Sequence, residues 1–343
     1  MENIVLNEDV RLFAEHFELW EQLRDKTFLI TGATGLIGSL TIRCLQELNR
    51  RHGLGIKIIA VVRDMKKAMS VLKTGSKDVV ILHMNLHNLG LYDNLPIVDY
   101  IIHLASPTSS IYFVEHPVET LRTVIEGTTS VLEYARSFHV ESMVLASSLE
   151  VYGTNETDEL IREDFQGYVN PIEVRSSYNT GKRAAECLSH AYASEYGVPV
   201  KIARLTQTTG AGISPNDCRV IAEFARLTVE GRDIILHTTG EAARPYCYTM
   251  DAISAILYIM LRGHTGETYN VANEETYISV RDMAEFLKDN FNRSINVRIE
   301  KNDNMGYAPV TKLRLSSEKL RTLGWKPKYG LKEMFERLIY SMK

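Results

Sequence analysis

Thr27-Phe28-Leu29-Ile30-Thr31-Gly32-Ala33-Thr34-Gly35-Leu36-Ile37-Gly38 decides the fold. Its first five residues are a short apolar run, the pattern of a buried strand, and apolar residues recur at helical spacing over 37–51. The three glycines therefore join a strand to a helix. Gly32 permits a tight turn, Gly35 lets the backbone approach a phosphate, and Gly38 lets helix and sheet pack closely. The helix N-terminus then offers free N–H groups and a positive dipole end to a pyrophosphate. Such spacing arises by chance, but the strand before and the helix after are the context a dinucleotide site requires. That reading outweighs a merely structural turn.

The same alternation continues outward from the turn. Strand-like runs at 56–62, 79–82, 100–104, 142–146 and 200–205 are separated mostly by helical stretches, including 115–138 and 178–196. Near-continuous apolar strands between helices predict an α/β fold, a Rossmann-type doubly wound parallel sheet covered on both faces. Beyond about 206 the pattern is mixed, which predicts a smaller mixed α/β lobe. The expected division is an N-terminal helical extension (1–25), a dinucleotide-binding domain (26–205) and a substrate-binding lobe (206–343) interleaved with it. In the extension, Leu6-Asn7-Glu8-Asp9 offers Asn7 as a helix cap with acids in the first turn. Val10, Phe13, Phe17 and Trp20 then form an apolar face that packs on the body or on a neighbouring subunit.

The composition bounds the partners. With 45% hydrophobic and 24% charged residues, the 343-residue chain is an ordinary globular one. Its 39 basic and 43 acidic residues leave a net charge of −4, with no long basic run. That argues against nucleic acid or an anionic membrane as the main partner. Cys44, Cys187, Cys218 and Cys247 form no C-x-x-C pair, as expected of structural thiols in a reducing compartment. The N-terminus lacks a signal pattern, and no apolar run reaches the roughly 18 residues of a membrane span. A cytoplasmic location is expected. No His/Cys cluster has metal-ligand spacing, so no metal is expected.

Four motifs in order carry a family resemblance. They are G-x-x-G-x-x-G at Gly32, Gly35 and Gly38; Ser147-Ser148-Leu149-Glu150-Val151-Tyr152-Gly153; Tyr178-x-x-x-Lys182; and Leu323-Gly324-Trp325-Lys326-Pro327. Together they resemble the extended short-chain dehydrogenase/reductase family, the nucleotide-sugar epimerase/dehydratase/decarboxylase group, over about 26–330. Within it, His103-Leu104-Ala105-Ser106-Pro107, Val169-Asn170-Pro171-Ile172, Asn216-Asp217-Cys218-Arg219-Val220 and Arg244-x-Tyr246-x-Tyr248 resemble UDP-glucuronate decarboxylases. The resemblance implies a dinucleotide held by Gly32, Thr34, Gly35, Leu36, Ile37, Gly38, Arg63, Asn85, Leu86, Leu104, Ala105 and Lys182. It implies a nucleotide-sugar substrate met by Ser106, Gln207, Arg219, Arg244 and Tyr246. It also implies a homodimer.

The chemistry follows from residue types. Tyr178 and Lys182, i and i+4 on a helix, share one face. A phenol titrates near pH 10. A neighbouring ammonium and the nicotinamide's positive charge favour the phenolate. Tyr178 then exchanges a proton with a sugar oxygen, and Ser148 hydrogen-bonds the same oxygen. Glu150 is a further catalytic candidate or a paired acid. Arg244 suits a diphosphate through its bidentate fork. Tyr246 and Tyr248 pack on the substrate or fill the lobe. Relatives carry Thr-Asp-Glu (dehydratases) or Thr-Ser-Glu (decarboxylases) where this chain has Ser148-Leu149-Glu150. The apolar Leu149 therefore argues against both dehydration and decarboxylation. Val124 and Gln207 stand where the family has Asn.

The cofactor reading turns on Val62-Arg63-Asp64. A strand-end Asp accepts from the ribose 2′-hydroxyl of NAD, whereas Arg63 would pair with the 2′-phosphate of NADP. Lys66 and Lys67 lie close by, and a one-residue slip would place Asp64 there instead. NADP(H) is favoured, with NAD(H) open. Arg63 and Leu149 point to one activity, NADPH-dependent reduction of a keto group on a nucleotide-linked sugar for surface polysaccharide. The rival is a redox-neutral NAD-dependent decarboxylase, epimerase or dehydratase. A catalytically silent binding protein is the third reading, and Ser148, Tyr178 and Lys182 together argue against it.

Overall fold

β1 (Thr27–Thr31), β2 (Lys57–Val62), β3 (Val79–His83), β4 (Tyr100–His103), β5 (Ser142–Ser148), β6 (Val200–Leu205) and β7 (Thr268–Val271) form one sheet in a computed structural model. It describes residues 3–72, 76–86, 97–301 and 310–343. The order is β7-β6-β5-β4-β1-β2-β3, and every neighbouring pair is parallel. β7 was not legible in the sequence. Thr268-Tyr269-Asn270-Val271 alternates instead of running apolar, although all four residues are buried.

Period-two alternation along β1 assigns its two faces. Phe28 and Ile30 join a cluster with Leu45 of α2 (Leu36–His52) and Ile253 of the helix Thr249–Arg262. Leu29 joins Ile59 and Ile101 in a second cluster with Val124, Val131 and Ala185. The expected helix at 115–138 is two helices separated at His116, Ser110–Glu115 and Pro117–Ser137. Pro117 opens the second, a position where its missing N–H is no loss. Ser177–Tyr196 is the helix expected at 178–196.

The N-terminal helix α1 (Ile4–His16) starts earlier than its acids suggested. Asn3 is the cap, its side chain accepting from Leu6 N at 3.0 Å, and Asn7 lies inside the helix. The physical reason is that Val5 and Leu6 belong to the buried stripe with Val10 and Phe13, so the helix must already include them. Phe17 completes the stripe edge-on against Tyr258, 5.9 Å between centroids. The apolar face therefore packs on this chain's own body. Cys44 and Cys247 are buried as expected of structural thiols, whereas Cys187 and Cys218 are exposed. Among the described residues no helix is long and apolar enough to cross a membrane. No group of three His, Cys, Asp or Glu among them could hold a metal ion.

Beside the main sheet, strand Ala243–Tyr248 runs between Gln207–Thr209, parallel, and Asn273–Ser279, antiparallel. The C-terminal motif anchors this region. Trp325 Nε1 donates to the Asp251 carbonyl at 3.2 Å and to Ser254 Oγ at 2.9 Å. The Asp251 carboxylate accepts from Lys328 N and Tyr329 N at 3.0 and 3.1 Å. Trp325 is fully buried. Trp325→Ala will therefore destabilise the protein by about 3–5 kcal/mol. Urea unfolding checks this, and a loss under about 1 kcal/mol would contradict the anchoring role.

Candidate active site

The strand order reverses between β4 and β1; the glycine turn follows β1, Leu104 and Ala105 follow β4, and Ser148 ends β5. Such a switch point is where open α/β sheets leave a crevice for a ligand. The glycine turn forms its floor. Gly32 has φ +65°, and a Cβ there would lie 2.7 Å from the Leu104 carbonyl carbon and 2.8 Å from Ala105 N. A Cβ on Gly38 would lie 2.4 Å from the Gly32 oxygen. Glycine alone keeps this cradle open, so the residues fit a dinucleotide with its pyrophosphate at the start of α2. Thr34, Leu36 and Ile37 are half-buried around the turn and Gly35 is its exposed apex.

A buried hydrogen-bond chain, not foreseen as part of the site, fixes β4 against this turn. Thr31 Oγ1 accepts from Leu104 N and Ala105 N at 3.1 and 3.2 Å. Its own proton then goes to His103 Nδ1 at 2.7 Å, which leaves His103 Nε2–H to donate to Thr128 Oγ1 at 3.3 Å. Burial, with the Lys182 charge nearby, lowers the His103 pKa to about 3, so the ring stays neutral. The only sequence signal was the position of His103 beside Leu104 and Ala105.

Tyr178 lies on the first turn of the helix Ser177–Tyr196, buried and stacked on Phe113 at 4.3 Å with the rings 6° from parallel. Ser148, the last residue of β5, lies close enough to the phenol to lower its pKa, and its hydroxyl accepts from Glu150 N at 3.2 Å. Lys182 Nζ donates to the Ala146 carbonyl at 2.8 Å and lies 5.8 Å from the Tyr178 ring centre. The three residues expected to act together are brought together.

The expected phenolate is not what the chain alone favours. Burial raises the Tyr178 pKa and the Glu150 charge raises it further, while Ser148 and Arg175 oppose only in part. Burial also lowers the Lys182 pKa to about 8. Its ammonium is tied to a carbonyl, and the nicotinamide charge invoked for the phenolate is not the chain's own.

Glu150 is held by Arg175, whose Nη2 donates to both carboxylate oxygens at 3.1 and 2.9 Å. The Arg175 guanidinium also lies 5.0 Å above the Phe113 ring. Sequence reading passed over Arg175, three residues before Tyr178 and aligned with it only across a 3₁₀ turn. Leu149 is buried among Val151, Tyr152, Ile161, Ala272, Leu313 and Leu315. It packs away from the phenol and brings no polar group to it.

At the outer end, Arg63 follows β2, exposed, and among the described residues only its carbonyl is engaged, by His83 Nε2 at 3.0 Å. Asp64 instead caps the short helix Met65–Val71, accepting from Lys67 N at 3.0 Å. Asn85 is exposed just after β3, and Leu86 packs on the second apolar cluster.

The substrate-side residues divide. Ser106 Oγ donates to the Pro107 carbonyl at 3.2 Å. Gln207 is half-buried opposite Tyr246. Arg219 is occupied, forked on Asp217 at 3.0 and 2.7 Å and donating to the Thr208 carbonyl at 2.7 Å. Tyr246 is closed into the main core, so of the two readings left open it fills the lobe. Arg244 stays partly exposed, and a register shift between Arg244 and Tyr246 against Asn273–Ser279 re-aims it.

The model of the "NAD dependent epimerase/dehydratase family" matches residues 28–272. The chain belongs to the NAD-dependent epimerase/dehydratase family. Its match takes in the glycine turn, Ser148, Tyr178, Lys182 and Arg244. This family member is 32% identical over 318 residues to UDP-glucuronic acid decarboxylase 5 of Arabidopsis thaliana, covering 89% of this chain and 86% of that protein. It is 31% identical over 327 residues to UDP-glucuronic acid decarboxylase 1 of Xenopus tropicalis, covering 93% and 72%. Among solved structures it resembles the UDP-glucose 4-epimerase of Thermotoga maritima, with TM-score 0.78, 22% identity and 92% and 98% coverage. It also resembles a dTDP-glucose 4,6-dehydratase of Streptomyces venezuelae solved with NAD, with TM-score 0.76, 22% identity and 92% and 96% coverage. Both likenesses bear on the fold, an α/β fold around the seven-stranded parallel sheet.

Proposed function

We propose that this family member is an NADPH-dependent reductase of a keto group on a nucleotide-linked sugar. The observation that carries the reading is at the end of β2. Asp64 is committed to capping a helix, and exposed Arg63, with no carboxylate partner among the described residues, stands at the strand end. A guanidinium there suits a ribose 2′-phosphate, which it can meet with paired charge-assisted hydrogen bonds.

The catalytic group supports the same direction. In the chain alone burial favours the protonated phenol, the form that donates. A reduced nicotinamide, when bound, supplies the hydride. Tyr178 gives its phenolic proton to the ketone oxygen while Ser148 hydrogen-bonds that oxygen, so the carbonyl becomes a C–H and an O–H bond. Lys182, anchored on Ala146, holds positive charge below the phenolate that results. Arg244 is the partly exposed cation suited to the nucleotide diphosphate.

A second reading, redox-neutral decarboxylation of a nucleotide-linked uronic acid, is favoured by the relatives named UDP-glucuronic acid decarboxylase. The Glu150–Arg175 pair beside Tyr178 favours it too. Against it, the position where the family resemblance implies a polar residue is Leu149, folded into an apolar cluster.

Arg63→Asp tests the cofactor reading. Hydrogen bonds to charged groups are worth about 1.5–3 kcal/mol, so the NADPH-over-NADH affinity ratio will fall by roughly ten- to a hundredfold. Fluorescence titration with both dinucleotides reads it, and a ratio within twofold of wild type would remove Arg63 from the site.

A further inference from the structure

Asp9 is fully buried on α1, and what it touches is not packing. The Tyr248 hydroxyl donates to Asp9 Oδ2 at 2.5 Å, and Arg337 Nη1, on the C-terminal helix, donates to Asp9 Oδ1 at 2.8 Å. Tyr248 ends strand Ala243–Tyr248, the strand that carries Arg244. Its hydroxyl also accepts from Ala211 N at 3.4 Å, and its backbone pairs with Thr209. One phenol therefore ties α1 to both strands on the substrate side.

A second contact from α1 reaches the same place. A Cβ on Gly212, which has φ +89°, would lie 3.0 Å from Leu6 Cδ2, so Leu6 sits directly on the loop after Gln207–Thr209. Near these contacts the Thr209 and Thr249 hydroxyls are buried with no hydrogen-bond partner among the described residues. These hydroxyls and the buried Asp9 carboxylate are polar groups set in an otherwise apolar contact. Burying a carboxylate carries a desolvation cost that an apolar residue would avoid. Burial accordingly lifts the Asp9 carboxyl to about 6, with Tyr248 and Arg337 pulling it back. Polar contacts of this kind fix geometry, because a hydrogen bond is directional where apolar contact is not.

We propose that Asp9 is a positioning residue for the substrate-binding strand: by fixing the Tyr248 hydroxyl, the N-terminal helix sets the aim of Arg244 and the seating of residues 207–211. This rests on the reading that Arg244 holds a nucleoside diphosphate. The N-terminal helix is then a working part of the substrate side.

Binding separates these roles without a substrate in hand. UDP and NADPH are titrated calorimetrically into the full-length protein, its Asp9→Ala, Asp9→Asn and Tyr248→Phe variants, and Arg244→Ala. Asp9→Ala and Tyr248→Phe are expected to weaken UDP by roughly three- to thirtyfold and to leave NADPH within twofold. Asp9→Asn keeps an acceptor for the Tyr248 hydroxyl and is expected to recover most of the UDP affinity. The double variant Asp9→Ala/Tyr248→Phe should lose less than the two single losses combined, because both cut the same Asp9–Tyr248 bond. Tyr248→Phe decides the matter if Asp9→Ala fails to fold. Parallel losses of UDP and NADPH would show a merely structural contact and overturn the proposal. So would an unchanged UDP affinity in Tyr248→Phe while Arg244→Ala weakens it. No UDP binding by wild type, or none lost in Arg244→Ala, overturns the underlying reading and the positioning role with it.

Discussion

Tyr178→Phe will lower turnover by about 10²–10⁴-fold, the usual contribution of a positioned general acid, while dinucleotide affinity stays within twofold. The expectation follows from how the side chain is held. Its ring stacks on Phe113, and phenylalanine keeps that contact. Only the hydroxyl is lost, and with it the proton it would exchange with the sugar oxygen. Steady-state rates and fluorescence titration with NADPH check both halves. Turnover within threefold of wild type would remove Tyr178 from the chemistry. A parallel loss of dinucleotide affinity would make it a packing residue.

Gly32→Ala will abolish dinucleotide binding without unfolding the chain. The residue sits at φ +65°, where a side chain costs roughly 1–2 kcal/mol. The larger effect is steric, since the new methyl would meet the Leu104 and Ala105 backbone at 2.7–2.8 Å. Neither neighbour can give way cheaply. Both N–H groups are bonded to Thr31, and Thr31 is locked to His103. The turn and the end of β4 must separate, and that opens the cradle. NADPH titration is expected to show at least about a hundredfold weakening, roughly 2.7 kcal/mol. Affinity within threefold would mean the dinucleotide does not use this turn.

The parts of the fold that were legible share one property: local sequence and burial agree. β1, β2, β4 and β5 are mostly apolar because both faces are covered, and the glycine turn is legible because its φ and its close contacts exclude other residues. β7 escaped because its polar residues are satisfied by distant partners. Asn270 Nδ2 donates to the Ser316 carbonyl at 3.0 Å, and its Oδ1 accepts from Tyr152. α1 was visible, but its cap was misplaced because Asn7 and Asn3 offer the same signal and only packing chooses between them. At the site, Ser148, Tyr178 and Lys182 could be read from their motifs. Arg175 could not, because its partner Glu150 is 25 residues away. Nor could the role of Asp9, whose partners Tyr248 and Arg337 lie 239 and 328 residues on.

The measurement that bears most directly on the function is one absorbance trace at the reduced-nicotinamide band. Purified protein is mixed with NADPH and a keto nucleotide sugar, and the sugar product is followed in parallel. Net reduction predicts NADPH loss equal to product formed, with no dinucleotide carried by the protein as isolated. Conversion of a nucleotide-linked uronic acid with no net change at that band, by protein that carries NAD, would contradict the reductase reading and establish the redox-neutral one.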